Sequence, residues 1–158
     1  MKKLVLASAV AAAFSTPLAA LAQDKSPHTV TGNVSLNTDY RFRGISQTYG
    51  KPALQGGFDY SHSSGIYLGT WASNVYGGAT QQPLGQAYNQ GSMELDLYGG
   101  YKFEAAGVAW DAGYLRYQYV GNTLDKVAGY KNANTDELYL AGTYGVVSAK
   151  YSYSLSDL

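Results

Sequence analysis

The stretch TVTGNVSLNTDYRFRG (Thr29–Gly44) decides how the rest of the chain is read. Its even positions from Val30 to Phe42 are Val, Gly, Val, Leu, Thr, Tyr and Phe. Its odd positions from Thr31 to Arg43 are Thr, Asn, Ser, Asn, Asp, Arg and Arg. A period of two puts the two sets on opposite faces of a strand. The alternation runs through 14 residues, Val30–Arg43, against about 5–6 for an ordinary globular strand. One face is apolar or small and the other wholly polar. The pattern predicts one long strand with two very different surroundings.

The same pattern recurs downstream. PALQGGFDY (Pro52–Tyr60) sets Leu54, Gly56, Phe58 and Tyr60 against Gln55 and Asp59. SMELDLYGGYKF (Ser92–Phe103) sets Met93, Leu95, Leu97, Tyr101 and Phe103 against Glu94, Asp96 and Lys102. DELYLAGTY (Asp136–Tyr144) and VSAKYSYSL (Val147–Leu155) alternate likewise. IYLGTWASNV (Ile66–Val75) and VAWDAGYLRYQY (Val108–Tyr119) have strand composition with a less regular phase. In the latter, Arg116 and Gln118 interrupt the apolar set, which predicts a bulge or an exit from the apolar layer near Leu115. No helical periodicity of useful length follows the N-terminus.

Seven strands result, and the connections between them alternate in length. SHSSG, EAAG and Gly145–Val146 are short, whereas GISQTYGK, Tyr76–Gly91 and Val120–Thr135 are longer. Short turns at one end and long loops at the other match the pattern of outer-membrane barrels, with periplasmic turns and extracellular loops. A membrane-crossing strand needs about 9–11 residues. Lipid tolerates no open sheet edge, so the predicted fold is an all-β, antiparallel up-and-down transmembrane barrel. Its apolar face meets lipid and its polar face lines the interior.

The N-terminus supports export. MKK, the apolar LVLASAVAAAF and the small-x-small ALA (Ala20–Ala22) before Gln23 form a cleavable secretory signal, residues 1–22. The apolar run is too short to span a bilayer as a helix. Cleavage removes Lys2 and Lys3 from a balance of 11 basic and 11 acidic residues, leaving residues 23–158 weakly acidic. Such a charge excludes a nucleic-acid partner that needs a basic surface. The absence of cysteine excludes disulfides, a thiol nucleophile and lipoprotein anchoring. Only 14% of residues are charged, against about 25% in soluble domains.

Residue roles follow from the register. The predicted interior charges are Asp39, Arg41, Arg43, Asp59, Glu94, Asp96, Lys102, Asp111, Arg116, Glu137 and Lys150. Aromatics gather at membrane–water interfaces. Phe58, Tyr60, Tyr101, Phe103, Trp110 and Tyr144 fall near the short-turn end, and Tyr40, Phe42 and Tyr153 near the loop end. Seven is odd, while single-chain bacterial barrels have even strand numbers. The expectation is therefore that residues 23–158 form the N-terminal part of a barrel, with C-terminal strands missing.

DYRFRGISQT, then PALQGGFDYSHSSGIYLGTWASNV and ELDLYGGYK, resemble the TorF-like family of proteobacterial outer-membrane porins. The resemblance is specific over Asp39–Val75 and looser beyond. It implies an outer-membrane β-barrel and brings no catalytic residues with it.

Chemical motifs are sparse. There is no G-x-S-x-G elbow, P-loop or dinucleotide fingerprint. His28 lies near the mature N-terminus and His62 in a short turn, each without an evident partner in sequence. NANTDE (Asn132–Glu137) is faintly like a calcium loop but lacks its glycine and terminal glutamate, so it reads as a polar extracellular loop. The expected function is passive diffusion of small hydrophilic solutes across the bacterial outer membrane, without enzymatic activity or cofactor. The alternative is a non-conducting barrel whose extracellular loops bind a surface partner. The sequence specifies neither the permeant nor an oligomeric state.

Overall fold

A computed structural model describes residues 26–42, 44–76, 91–126, 129 and 131–156. The predicted signal peptide, residues 1–22, and Arg43 lie outside the described residues. Seven strands form one sheet: β1 (His28–Asn37), β2 (Ala53–His62), β3 (Ile66–Asn74), β4 (Met93–Ala105), β5 (Val108–Val120), β6 (Thr135–Tyr144) and β7 (Val147–Ser154). They pair antiparallel in chain order, with β1 and β7 at the edges. The fold is thus all-β, a seven-stranded antiparallel meander. Two-residue strands Arg41–Phe42 and Ile45–Ser46 form a separate small ribbon, and Leu124–Lys126 is a single 3-10 turn.

The turns are built for tight reversal. Ala106 and Gly107 both adopt left-handed φ, +54° and +75°, between β4 and β5. That conformation matches the twist of the flanking strands. Gly145, at φ +58°, opens the β6–β7 turn.

Register fixes the two faces. Val30, Tyr60, Leu68, Gly99, Tyr114, Leu138 and Tyr153 form one continuous cross-strand row. Thr31, Asp59, Gly69, Tyr98, Leu115, Glu137 and Ser154 form the next row, on the opposite face. The apolar face lies bare: Leu36 is 74% exposed, Phe58 68% and Tyr151 70%. Burial belongs to the polar side, where Thr48, Ser73 and Glu94 are at most 1% exposed. Among the described residues only Ala53, Val75 and Leu124 are buried and apolar. A water-soluble sheet reverses this arrangement, because burying apolar area is its main driving force.

Two departures from the sequence reading concern β1 and β5. The long alternation does not continue as one strand, because β1 ends at Asn37. Beyond it Asp39 collects hydrogen bonds from residues seven to eleven positions ahead, and these fold the chain back. In β5 there is no bulge: Met93↔Val120 through Ala105↔Val108 pair without a break. Arg116 therefore stays in phase with Trp110, Ala112 and Tyr114 and lies on the apolar face. The register sets it on the face opposite Asp111, away from the other predicted interior charges of the sheet.

Candidate functional site on the polar face

The polar face is organised by tyrosines that lie along the sheet over glycines. Tyr98 on β4 crosses Gly69 on β3, and its hydroxyl donates to Asp59 Oδ1 on β2 at 2.6 Å. A Cβ at Gly69 would lie 2.5 Å from Tyr98 Cζ, so only glycine leaves room for the ring. One row toward the turns, Tyr67, Gly100, Gly113 and Tyr139 are cross-strand neighbours on β3 to β6. The two rings reach toward each other over the two glycines and their hydroxyls are bonded together. Tyr67 also donates to Asp111 Oδ1 at 2.6 Å. A Cβ at Gly100 would lie 2.5 Å from the Tyr67 hydroxyl, and one at Gly113 2.5 Å from Tyr139 Cζ.

Cations complete this wall. Lys102 Nζ sits 4.9 Å from the Tyr67 ring centroid and Lys150 Nζ 4.0 Å from that of Tyr139, within cation–π range. Of the predicted interior charges, Lys102, Asp111 and Lys150 are thus linked through the Tyr67–Tyr139 pair, and Asp59 is bonded to Tyr98. Glu137 shares the face, opposite Leu115 and Ser154.

The loop end of the same face is covered by the β1–β2 connection. Asp39 Oδ1 accepts from Ser46 Oγ at 2.5 Å, Thr48 Oγ1 at 3.0 Å and the Gly50 amide at 3.1 Å. Arg41 Nε lies 2.7 Å from Asp39 Oδ2. These donors, led by Ser46, hold the Asp39 carboxyl below its ordinary range against an opposing effect of burial. The Tyr40 amide donates to Thr48 Oγ1 at 3.0 Å, and the Gln47 amide to the Tyr40 carbonyl at 2.6 Å. The result is a compact knot with Thr48 wholly buried.

The knot sends two aromatic rings onto the sheet. Tyr40 packs edge-on against Trp71, centroids 5.4 Å apart, and donates to Glu94 Oε1 at 2.8 Å. Burial and the neighbouring Glu94 charge raise the Tyr40 phenol. Phe42 packs against Tyr117 at 5.9 Å. Trp71 and Tyr117 flank Asp96 in one cross-strand row of the polar face. Tyr40 and Phe42 therefore pack onto the polar face and do not join the aromatics of the apolar face, because the strand whose alternation would set them there has ended at Asn37. Asp96 Oδ1 is buried here without a hydrogen-bond partner among the described residues. Of the predicted interior charges, Glu94 and Asp96 lie on the wall, while Asp39 and Arg41 belong to the knot above it.

The remaining aromatics share the apolar face by register: Phe58, Tyr60, Tyr101, Phe103, Trp110, Tyr144 and Tyr153. Tyr101 and Phe103 stack at 5.8 Å. Arg116 is accommodated among them by local pairing. Its Nη1 lies 3.0 Å from Asp136 Oδ1, its Nη2 donates to Gln118 at 2.9 Å, and Tyr114 donates to Asp136 at 2.5 Å. In the NANTDE segment both asparagine side-chain oxygens already accept hydrogen bonds from within the chain. Asn132 Oδ1 accepts from Asn122, and Asn134 Oδ1 from the Tyr119 amide, both at 2.8 Å.

Sequence reasoning did not find Tyr67, Tyr98 and Tyr139. The available signal was glycine at Gly69, Gly100 and Gly113 on the face that otherwise carries charge. Reading it requires the strand register, which pairs each glycine with a ring.

The chain belongs to the Gcw_chp family of bacterial proteins of unknown function, whose model matches residues 21–158. No curated protein and no solved structure matches it.

Proposed function

We propose that this chain contributes seven strands to an outer-membrane β-barrel through which small hydrophilic solutes diffuse. The three short turns face the periplasm and the long connections face outward. The observation that carries this reading is the inversion of faces: apolar side chains bare on one side, charges and tyrosines bonded together on the other. Lipid would cover the first and water the second. Membrane crossing demands that every backbone group be paired, so β1 and β7 each require a neighbour in the bilayer. The resemblance of Asp39–Val75 to TorF-like porins agrees with this reading.

A solute path is supported by tyrosines lying against the wall instead of standing across it. Lys102 and Lys150 at the turn end, with Glu94 and Asp96 at the loop end, would give such a path a charge gradient. One observation favours the second reading, a closed barrel whose outer loops bind a surface partner. The Asp39–Lys51 knot sits on the polar face and narrows any lumen there.

Planar-bilayer recording separates the two. The folded protein should conduct, and replacing Ser46–Gly50 by a short glycine–serine linker should raise the conductance of each step. Silent bilayers from protein with heat-modifiable gel migration would support the closed barrel. Recovery as a soluble periplasmic monomer would overturn both.

A further inference from the structure

The chain has two histidines, 34 residues apart, and the fold brings them together. His28 opens β1, His62 closes β2, and they are direct cross-strand partners. Both lie on the apolar face at its short-turn end. Their ring centroids are 5.0 Å apart, with the planes tilted by 52°. Each Nδ1 already has a partner: the Tyr60 hydroxyl at 2.8 Å for His28, and Ser64 Oγ at 2.8 Å for His62.

We propose that His28 and His62 form a two-ligand site for a divalent late transition-metal ion such as Zn²⁺, Ni²⁺ or Cu²⁺. A tetrahedral ion bound to two imidazole nitrogens at about 2.0–2.1 Å sets the ring centroids about 5 Å apart. The observed spacing of 5.0 Å matches that requirement. Imidazole nitrogen suits these ions and not Mg²⁺ or Ca²⁺, which prefer oxygen. Metal-bound histidines hold their second nitrogen in a hydrogen bond that fixes the ring and its tautomer. Tyr60 and Ser64 occupy that role and leave both Nε2 atoms for the metal. The Ser64 amide also lies 3.1 Å from His62 Nδ1, donating to it. Coordination through Nε2 moves the ring's single proton to Nδ1, so the Ser64 amide must give up its bond to Nδ1 while Ser64 Oγ turns to accept the new N–H. The remaining coordination positions are left to water or to a bound solute. The site stands independently of whether the barrel conducts.

The test uses untagged protein folded in a zwitterionic detergent and titrated calorimetrically with Zn²⁺. One ion should bind per chain, unaffected by excess Mg²⁺ or Ca²⁺. His28→Asn and His62→Asn should each weaken binding by about tenfold or more, and Tyr60→Phe by about tenfold, the usual effect of losing an outer hydrogen bond. In the unmodified chain, saturating Zn²⁺ should slow the reaction of both histidines with diethyl pyrocarbonate. Equal affinity in the histidine variants, no uptake of Zn²⁺, or unchanged modification rates would overturn the proposal.

Discussion

Gly69→Ala probes the tyrosine wall with one methyl group. Gly69 lies within β3 and its φ is not in the left-handed region, so alanine suits the backbone. In isolation the change would stabilise by about 0.4–1 kcal/mol, through lost freedom of the unfolded chain. The new Cβ, however, would lie 2.5 Å from Tyr98 Cζ and 2.7 Å from its hydroxyl, where carbon contacts relax only near 3.5–4.0 Å. The ring must lift off the sheet, and lifting breaks its bond to Asp59. A hydrogen bond to a charged group contributes about 1.5–3 kcal/mol. Asp59 is half-buried, so water recovers part of that. The expected net effect is destabilisation by about 1–2 kcal/mol.

The assay is urea unfolding of protein folded in lipid vesicles, followed by emission of the two tryptophans. The decisive comparison is a double-mutant cycle. In a Tyr98→Ala background the clash has no partner, so Gly69→Ala should become neutral or mildly stabilising. An equal penalty in both backgrounds, or no penalty in the parent protein, would refute the idea that glycine is there to seat the ring.

Two further expectations concern the knot and the outer face. Because the Asp39 pKa is lowered from its ordinary 3.8, its stabilisation of the knot is complete above about pH 4 and fades as pH falls through the folded value. Trp71 emission should report that loss, and Asp39→Asn should show the low-pH signal already at pH 7 and remove the acid transition. Leu140→Arg, at the middle of β6 on the apolar face, should cost about 2–4 kcal/mol in a bilayer. Ala141→Arg, beside Asp111 on the other face, should cost far less in the same unfolding assay; the reverse order would contradict the assignment of faces.

How far the sequence could be read depended on the range of the interaction involved. Alternation is local, so the seven strands and the two faces emerge from it to within a few residues. Asp39 shows where locality fails. Thr38, Tyr40 and Phe42 keep the strand's alternation, yet Asp39 is captured by Ser46, Thr48 and Gly50, a set of donors with no periodic signature. Arg116 failed for the opposite reason. Its charge suggested a break in phase, but Asp136 on the adjacent strand neutralises it in place, and that partner is visible only in the β5–β6 register. The tyrosine–glycine seats and the His28–His62 pair depend on register in the same way.

The central claim is that the apolar face meets lipid while the polar face meets water. The chain contains no cysteine, so single cysteines can be introduced along β6 without removing any background. Leu138, Ala141, Leu140 and Tyr139 replaced one at a time, labelled with an environment-sensitive fluorophore and folded into vesicles of brominated lipid, give the most direct measurement. The account predicts strong quenching at 138 and 140, and weak quenching at 139 and 141, whose thiols instead react with small hydrophilic reagents. Uniform quenching, or quenching confined to 139 and 141, would contradict it.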